Sequence, residues 1–292
     1  MCTIGVIAAR DRAGDVRVFL LKTADCWPRC EFRHTIETSE GGTRRIGFSL
    51  EPQVGVNSGL NEYGLGVVIS YSDYRFRDPE IYPPDEGTPG EFLSLEKEPR
   101  TQMNQWVLAH CQSVPEAVEF MQRFVPEHPE MTGGNHLLAD INGNLAIVEQ
   151  CEGKTSVADY SRVGYAGRGN NSSLLILDKQ ASISVIHDCL ERQEQMEEFL
   201  KGQVAVLEDG DEFRFTQSAK AVLSSHANGP DQMGSICVHG LQARGTRSPA
   251  VGPFRAEPLW TVTAMILDLR RRRMLYTVGN PCQAEWRSLN LT

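Results

Sequence analysis

Met1-Cys2-Thr3-Ile4-Gly5-Val6-Ile7-Ala8-Ala9-Arg10, followed by Asp11-Arg12-Ala13-Gly14-Asp15 and Val16-Arg17-Val18-Phe19-Leu20-Leu21-Lys22, opens the chain. Two short β-branched or apolar runs flank a polar, glycine-containing turn, so the stretch reads as a β-hairpin with Cys2 at the head of its first strand. Removal of Met1 would leave a thiol on the residue that carries the free α-amino group. An ordinary thiol titrates near 8.5 and an α-amine at about 7.7–8.0, so neither is locked in one protonation state near neutrality. The amine can take the thiol proton and return it to a leaving amine, dividing an acyl transfer into two easier steps through a thioester. Read alone, Met-Cys is equally a small apolar residue at the start of a strand, and the rest of the chain has to decide.

The chain has 292 residues, 40% hydrophobic and 23% charged, with a net charge of −9. These values suit a globular chain with a sizeable core, and no linker-like composition divides it, so one domain over residues 1–292 is expected. The acidic balance argues against nucleic acid or an anionic membrane as partner, since both call for a basic face. A small-molecule substrate is expected instead, and self-association into a homo-oligomer is left open. The amino terminus lacks a basic start followed by a long apolar run, and no segment approaches 18 uninterrupted apolar residues, so a cytoplasmic protein is expected. Eight cysteines, at positions 2, 26, 30, 111, 151, 189, 237 and 282, show neither a disulfide framework nor zinc-knuckle spacing. Cys26 and Cys30 could in principle share a metal, but no matching second pair follows. No metal and no cofactor are expected.

Further hairpins are suggested by Gln53–Gly59 with Leu65–Tyr71, by His136–Asp140 with Leu145–Gln150 around the turn pair Asn142-Gly143, and by Trp260–Leu267 with Met274–Val278. Ser113-Val114-Pro115-Glu116 has the form of a capping box. Ala117, Val118, Phe120, Met121 and Phe124 follow it at helical spacing. Arg100–Cys111, Ile183–Leu200 and Thr216–Ser225 also read as helices. Hairpins separated by helical blocks imply sheet layers covered by helices, in the α+β class. Asp73–Leu95 and Gly240–Pro258 read as long loops bordering a pocket. Arg270–Arg273, four like charges at a hairpin tip, reads as a solvated turn rather than a nucleic-acid contact.

Three groups of residues resemble a known family. Met1-Cys2-Thr3, Gly59-Leu60-Asn61-Glu62-Tyr63-Gly64-Leu65-Gly66-Val67, and Gly134-Asn135-His136-Leu137-Leu138-Ala139-Asp140 with Val148-Glu149 resemble the N-terminal cysteine hydrolases, which include the choloylglycine hydrolases. Ser224-Ser225-His226-Ala227-Asn228-Gly229, Ser235-Ile236-Cys237-Val238-His239 and Gly279-Asn280-Pro281-Cys282 narrow the resemblance to the acyl-CoA:6-aminopenicillanic acid acyltransferase-like (peptidase C45-type) branch. The set runs in order over nearly the whole chain. It implies a four-layer αββα sandwich, the N-terminal nucleophile hydrolase fold, with Cys2 presented at a cleft.

The resemblance also implies site residues. Lys22-Thr23-Ala24-Asp25 is similar to the family's basic-x-x-Asp element: Asp25 would orient the terminal amine, and Lys22 would supply positive charge near the thiol. Choloylglycine hydrolases have Arg where this chain has Lys22, and a point-charge ammonium cannot reproduce a planar bidentate fork. Lys at this place resembles the related dipeptidases, which turns the expectation from bile salts toward a small amide or peptide bond. Asn171 matches the asparagine that donates into the oxyanion hole, with adjacent Asn170 as the alternative, and the backbone amide of Tyr71 matches the second donor. Both asparagines read equally as turn residues. His136, His226 and His239 invite a Cys-His dyad, but an N-terminal nucleophile has no need of one. His239, beside the long loop, is the one of the three with a claim to touch substrate.

The resulting expectation is a hydrolase of linear amide bonds that works through a thioester on Cys2. The alternatives are an acyltransferase that passes the acyl group to an amine, a dipeptidase-like peptidase, and a non-catalytic binding protein on the same fold.

Overall fold

A computed structural model describes residues 2–26, 30–72, 99–175, 183–241 and 258–291. The strands are β1 (Cys2–Arg10), β2 (Val16–Cys26), β3 (Phe32–Thr38), β4 (Arg44–Leu50), β5 (Ser58–Asn61), β6 (Gly66–Tyr71), β7 (Gly134–Ala139), β8 (Leu145–Cys151), β9 (Lys154–Asp159), β10 (Tyr165–Arg168), β11 (His239–Leu241), β12 (Leu259–Asp268), β13 (Arg273–Thr277) and β14 (Trp286–Asn290). The helices are α1 (Pro99–His110), α2 (Val114–Phe124), α3 (Ile183–Glu208) and α4 (Glu212–Leu223). The expected loop at 73–95 lies outside the described residues, as do residues 242–257 of the second one.

The opening hairpin forms as its pattern predicts. Cys2 faces Ala24 and Arg10 faces Val16, and the turn is held by Asp11 Oδ1, which accepts the amides of Ala13 and Asp15 at 2.9 Å each. β10 flanks β1 and β12 flanks β2, so the strand headed by Cys2 is interior to a seven-stranded antiparallel sheet ordered β10-β1-β2-β12-β13-β14, with β11 paired to β12. The second sheet runs β3-β4-β5-β6-β7-β8-β9.

Alternation along the strands sorts the apolar residues into three buried layers. Ile4, Val6, Val18, Leu20 and Ala24 meet Ile46, Phe48, Val68 and Leu137 between the two sheets. Ile7, Phe19 and Leu21, on the opposite face of the first sheet, pack on Met196, Leu200, Phe215 and Leu223 of α3 and α4. Val67, Ile69 and Val148 on the far side of the second sheet pack on Met103, Val107, Ala117 and Met121 of α1 and α2. The layer order is therefore α-β-β-α, and each fully buried large side chain contributes about 1.5–3 kcal/mol of transfer free energy. Close approach of α3 to β1 depends on Gly5, where an added Cβ would lie 2.7 Å from Met196 Sδ.

Some boundaries differ from the sequence expectation. The second hairpin starts at Ser58 rather than Gln53, because Gly55 has φ +107° and Val56 N–H is turned to Thr101 O of α1, which takes this segment off the ladder. α3 runs on to Glu208, and α4 starts at Glu212 behind Asp211, whose carboxylate accepts Arg214 N–H at 2.9 Å. At α2, Ser113 does not accept a helix amide. Its hydroxyl donates to Glu116, which also accepts Gln112 N–H at 2.8 Å. The arginine turn is tied down by acids: Arg270 meets Asp15 at 2.9 Å, Arg273 meets Asp268 at 3.2 Å, and Arg271 pairs with Glu212.

Candidate active site

Cys2 is half-buried at the first position of β1, where the ladder fixes its backbone and α3 reaches over it. Its nitrogen donates to Asn170 Oδ1 at 2.7 Å, and its carbonyl accepts Arg192 Nη1 at 2.6 Å. Asn170 follows β10 and is almost fully buried. Its carboxamide nitrogen donates to Tyr71 O at 2.8 Å, so one side chain joins the head of β1 in the first sheet to the end of β6 in the second.

Arg192 of α3 is fully buried and makes the densest set of polar contacts here. Beyond Cys2 O, it donates to Thr3 Oγ1 at 3.0 Å and to Asn170 Oδ1 at 3.1 Å. It also grips Asp188, one helical turn earlier, through Nε at 3.2 Å and Nη2 at 2.8 Å. The second oxygen of Asp188 accepts Gly234 N–H at 2.7 Å. Burial works to raise the Asp188 carboxyl, but the Arg192 charge and these hydrogen bonds hold it below the usual carboxylate range. The pair thus stays ionised, and a buried pair of this kind costs about 3–5 kcal/mol when one partner alone is removed.

Lys22 points from β2 into the space between the sheets, on the same face as Cys2, and is fully buried. Its ammonium donates to Ile69 O of β6, and the Cys2 thiol on the same face is close enough to influence its charge. Burial lowers the Lys22 pKa, while the thiol and Asp25 act to keep the charge and Arg100 acts against it. Asp25, three residues on, lies where β2 and β12 lose their regular register. There its Oδ1 accepts Thr261 Oγ1–H at 2.7 Å. Burial raises its pKa, opposed by Arg192 and by the Thr261 hydrogen bond.

The two adjacent asparagines take different roles. Asn170 meets Cys2, whereas the Asn171 side chain, preferred on the sequence, donates to Ser173 Oγ at 3.2 Å in a more exposed position. Gly169 sets this direction, because a Cβ there would strike the Cys189 carbonyl of α3, so only glycine lets the loop press against that helix. Buried Glu149 then clamps the following turn, accepting the amides of Ser173, Leu174 and Leu175 at 2.7–3.1 Å. Tyr71 ends β6 beside the site, with the Arg100 guanidinium 4.1 Å from its ring centroid.

The structure brings Cys2, Lys22 and Tyr71 together with Asn170, and sets Asp25 near Arg192. Sequence reading missed Arg192, Asp188 and Arg100. Arg192 carried one signal: an Asp at i−4 on a helix, a pattern usually left as a surface pair. His136 is a core residue, hydrogen-bonded to Asn104 Oδ1 at 3.1 Å and pushed down to about 3 by burial, with Arg100 and Lys22 adding to the effect. His226 and His239 instead join Cys237 and Cys282, one ligand atom from each falling within 4.8 Å of the others. Among the described residues, Cys26 and Cys30 gather no third ligand.

No curated protein matches the sequence. Solved structures share the fold. A penicillin V acylase from Agrobacterium tumefaciens aligns with TM-score 0.51 at 13% identity, over 98% of this chain and 86% of that one. An N-acylethanolamine-hydrolyzing acid amidase orthologue from Caenorhabditis elegans aligns with TM-score 0.55 at 14% identity, over 100% of both chains. A conjugated bile acid hydrolase from Clostridium perfringens aligns with TM-score 0.50 at 13% identity, over 100% and 97%. The profile of one family matches residues 12–243, a stretch that contains Lys22, Asp25, Asn170 and Arg192. Cys2 precedes it and is joined to these residues by the β1–β2 ladder and its bonds to Asn170 and Arg192. The chain therefore belongs to the acyl-coenzyme A:6-aminopenicillanic acid acyl-transferase family.

Proposed function

We propose that residues 1–292 form one N-terminal nucleophile domain that hydrolyses the amide bond of a small N-acyl substrate in the cytoplasm, with Cys2 as nucleophile once Met1 is removed. One observation carries the reading: the Cys2 nitrogen and carbonyl are held by two different buried side chains, Asn170 and Arg192, while buried Lys22 stands on the same face of the hairpin as the thiol. Buried polar side chains converging on one strand end support a residue used for chemistry. The names of the three structural neighbours, all acylases, amidases or hydrolases, support the amide as substrate class.

In this reading the thiol sulfur attacks the carbonyl carbon and its proton passes to the α-amine. Acceptance of one amine N–H by Asn170 Oδ1 aims the amine lone pair, and Asp25 helps hold the resulting ammonium. The oxyanion is received by Tyr71 N–H and by the second N–H of Asn170 Nδ2, whose first is used on Tyr71 O. The ammonium protonates the leaving nitrogen as the C–N bond breaks, which leaves a thioester and restores the neutral amine. Water, deprotonated by that amine, attacks the thioester carbonyl; the C–S bond breaks, the acid leaves, and the amine returns the proton to the Cys2 sulfur. An acyltransferase differs only in admitting an amine at this second step, and the family's name keeps that reading open. A peptidase would use Lys22 toward a substrate carboxylate, but its ammonium is fully buried and already donates to Ile69 O, which favours hydrolysis of a neutral amide.

The test incubates the purified protein with a panel of N-acyl amines, acyl-amino acids and dipeptides and reads intact mass. Loss of Met1 and an acyl adduct on Cys2 are expected. A protein that retains Met1, or an active Cys2→Ala variant, would overturn the mechanism.

A further inference from the structure

Three sequence blocks that the reaction does not use converge at one point: Ser224-Ser225-His226 after α4, Ser235-Ile236-Cys237-Val238-His239 leading into β11, and Gly279-Asn280-Pro281-Cys282 after β13. Cys237 Sγ lies 3.9 Å from Cys282 Sγ and 3.6 Å from His239 Nε2, and His239 Nε2 lies 3.0 Å from Cys282 Sγ. His226 completes the group, and all four ligand atoms fall within 4.8 Å of one another. A tetrahedral zinc ion, with Zn–S of about 2.3 Å and Zn–N of about 2.0–2.1 Å, holds its ligand atoms roughly 3.3–3.8 Å apart. The three measured separations bracket that range.

The surroundings suit a metal as well. A carbonyl only accepts, so the 2.6 Å contact between His226 Nδ1 and Cys237 O makes Nδ1 the protonated nitrogen and leaves the Nε2 lone pair for a ligand. Orienting bonds of this kind are typical behind metal-bound histidine. The backbone that carries the ligands is pinned: Cys237 N–H to Ser225 O at 2.9 Å, and Asn280 Nδ2 to Val238 O at 3.2 Å and Thr261 O at 2.9 Å. Cys282 is exposed, which gives an ion a way in.

We propose that His226, Cys237, His239 and Cys282 form a Cys2His2 site for a zinc ion. Binding of one Zn²⁺ displaces two thiol protons, so the filled site carries no net charge and suits a borderline-soft cation. The position gives it a positioning role. Val238, between two ligands, donates its N–H to Thr261 Oγ1 at 2.9 Å, and that same hydroxyl donates to Asp25. A bound ion would thus brace the irregular stretch of β12 that backs Asp25. This inference is independent of the reaction proposed above.

The test uses the reduced full-length chain, stripped by a chelator and titrated with Co²⁺ and then Zn²⁺. One cobalt per chain is expected, with the visible bands of a tetrahedral ion and a thiolate charge-transfer band. Zinc should bleach both and release two protons per ion at a pH where the thiols are protonated. Cys282→Ser, chosen because that side chain is exposed, and His239→Gln should each weaken binding by at least about 10–100-fold, the loss seen even for outer-shell changes. Cys2→Ala and Cys30→Ser should bind as the parent does. Zinc should raise the melting temperature of the parent and not of Cys282→Ser. Sub-stoichiometric binding, an octahedral spectrum, binding lost in Cys2→Ala or Cys30→Ser, or a Cys237–Cys282 disulfide in the freshly purified protein would each overturn the proposal.

Discussion

Replacing Asn170 and Asn171 one at a time by alanine separates a site residue from its neighbour. The Asn170 side chain makes three polar contacts, accepting from Cys2 N and Arg192 Nη2 and donating to Tyr71 O. Arg192 keeps its bonds to Asp188, Thr3 and Cys2 O, so the losses that matter fall on Cys2 N and Tyr71 O. At about 1–3 kcal/mol for each partner left unsatisfied, and less where water reaches Tyr71, Asn170→Ala should cost roughly 2–4 kcal/mol of stability. Its effect on turnover is separate. Loss of one oxyanion donor removes about 2.7–4 kcal/mol of transition-state stabilisation, a fall of about 10²–10³ in kcat. Asn171→Ala gives up one bond from a half-buried side chain to the Ser173 hydroxyl, a loss of about 0.5–1.5 kcal/mol, with activity near the parent's. Urea unfolding of both variants, beside kcat and KM on whichever substrate acylates Cys2, measures the two effects independently. An Asn171→Ala variant as impaired as Asn170→Ala, or a folded Asn170→Ala variant with kcat within a few-fold of the parent, would refute the assignment.

Other perturbations test the rest of the site. An additional residue ahead of Cys2 converts the amine into an amide nitrogen that cannot act as a base, so turnover should vanish while the far-UV spectrum is unchanged; retained activity would remove the amine from the mechanism. Lys22→Met deletes a buried positive charge on the face of the hairpin that carries the thiol, and kcat/KM should fall by at least about tenfold, the size of a lost charged interaction of about 1.5 kcal/mol. Equal rates in Lys22→Met and parent would reduce Lys22 to a packing residue. Stability should also fall on mild acidification. Burial holds His34 at about 4 and His136 at about 3, against 6.5 for the free side chain. Below pH 6.5 the unfolded chain therefore binds protons that the folded chain refuses. Each histidine then contributes a loss of up to about 1.4 kcal/mol per pH unit as pH falls toward 4. Denaturant midpoints between pH 7 and 4.5 read this directly, and a flat profile would contradict the buried neutral state of both rings.

Much of the fold is legible because its central strands carry both a side-chain period and a turn. β1 and β2 alternate around Asp11–Asp15, and β7 and β8 flank Asn142-Gly143, so pairing and register follow from local chemistry. β3 is not legible. Arg33, His34 and Glu37 interrupt its apolar positions, and it lies at a sheet edge where one ladder suffices. β10 is only four residues long and takes its place from β1. The same division holds at the site. Lys22 and Cys2 share a face of one hairpin, and counting residues from the turn brings them together. The choice between Asn170 and Asn171 depends on a helix backbone pressing on Gly169, and neither residue's own sequence context reports that. Arg192 looks like one more charge on a polar helix until α3 lies across β1 and β10. The four-ligand cluster escapes a search for paired spacings because its members come from three distant segments.

Polar bonds between the two sheets are densest around Cys2 and the end of β6. Lys22 reaches Ile69 O, Asn170 reaches Tyr71 O, Ser70 Oγ donates to Gly169 O at 2.5 Å, and Asn135 Nδ2 donates to Asn171 O at 2.9 Å. Elsewhere the sheets are joined mainly by the apolar layer of Ile4, Leu20, Phe48 and Leu137, with fewer polar links: Arg168 to Glu149 at 3.3 Å, Thr263 to His34 at 3.3 Å and Arg272 Nε to Glu62 O at 3.0 Å. Directional bonds are exchanged for bonds to water after a small separation, whereas an apolar layer yields only when much of it is wetted. The Cys2 end of the sandwich, where these bonds are densest, is thus its weaker seam, able to open as a local unit ahead of the rest. In a denaturant titration activity should disappear ahead of tryptophan fluorescence and secondary structure, and amides at the ends of β1 and β6 should exchange through a lower-energy opening than those at mid-strand. With Cys2 as the proposed nucleophile, the arrangement that holds it would also make the working range of the protein narrower than its folded range.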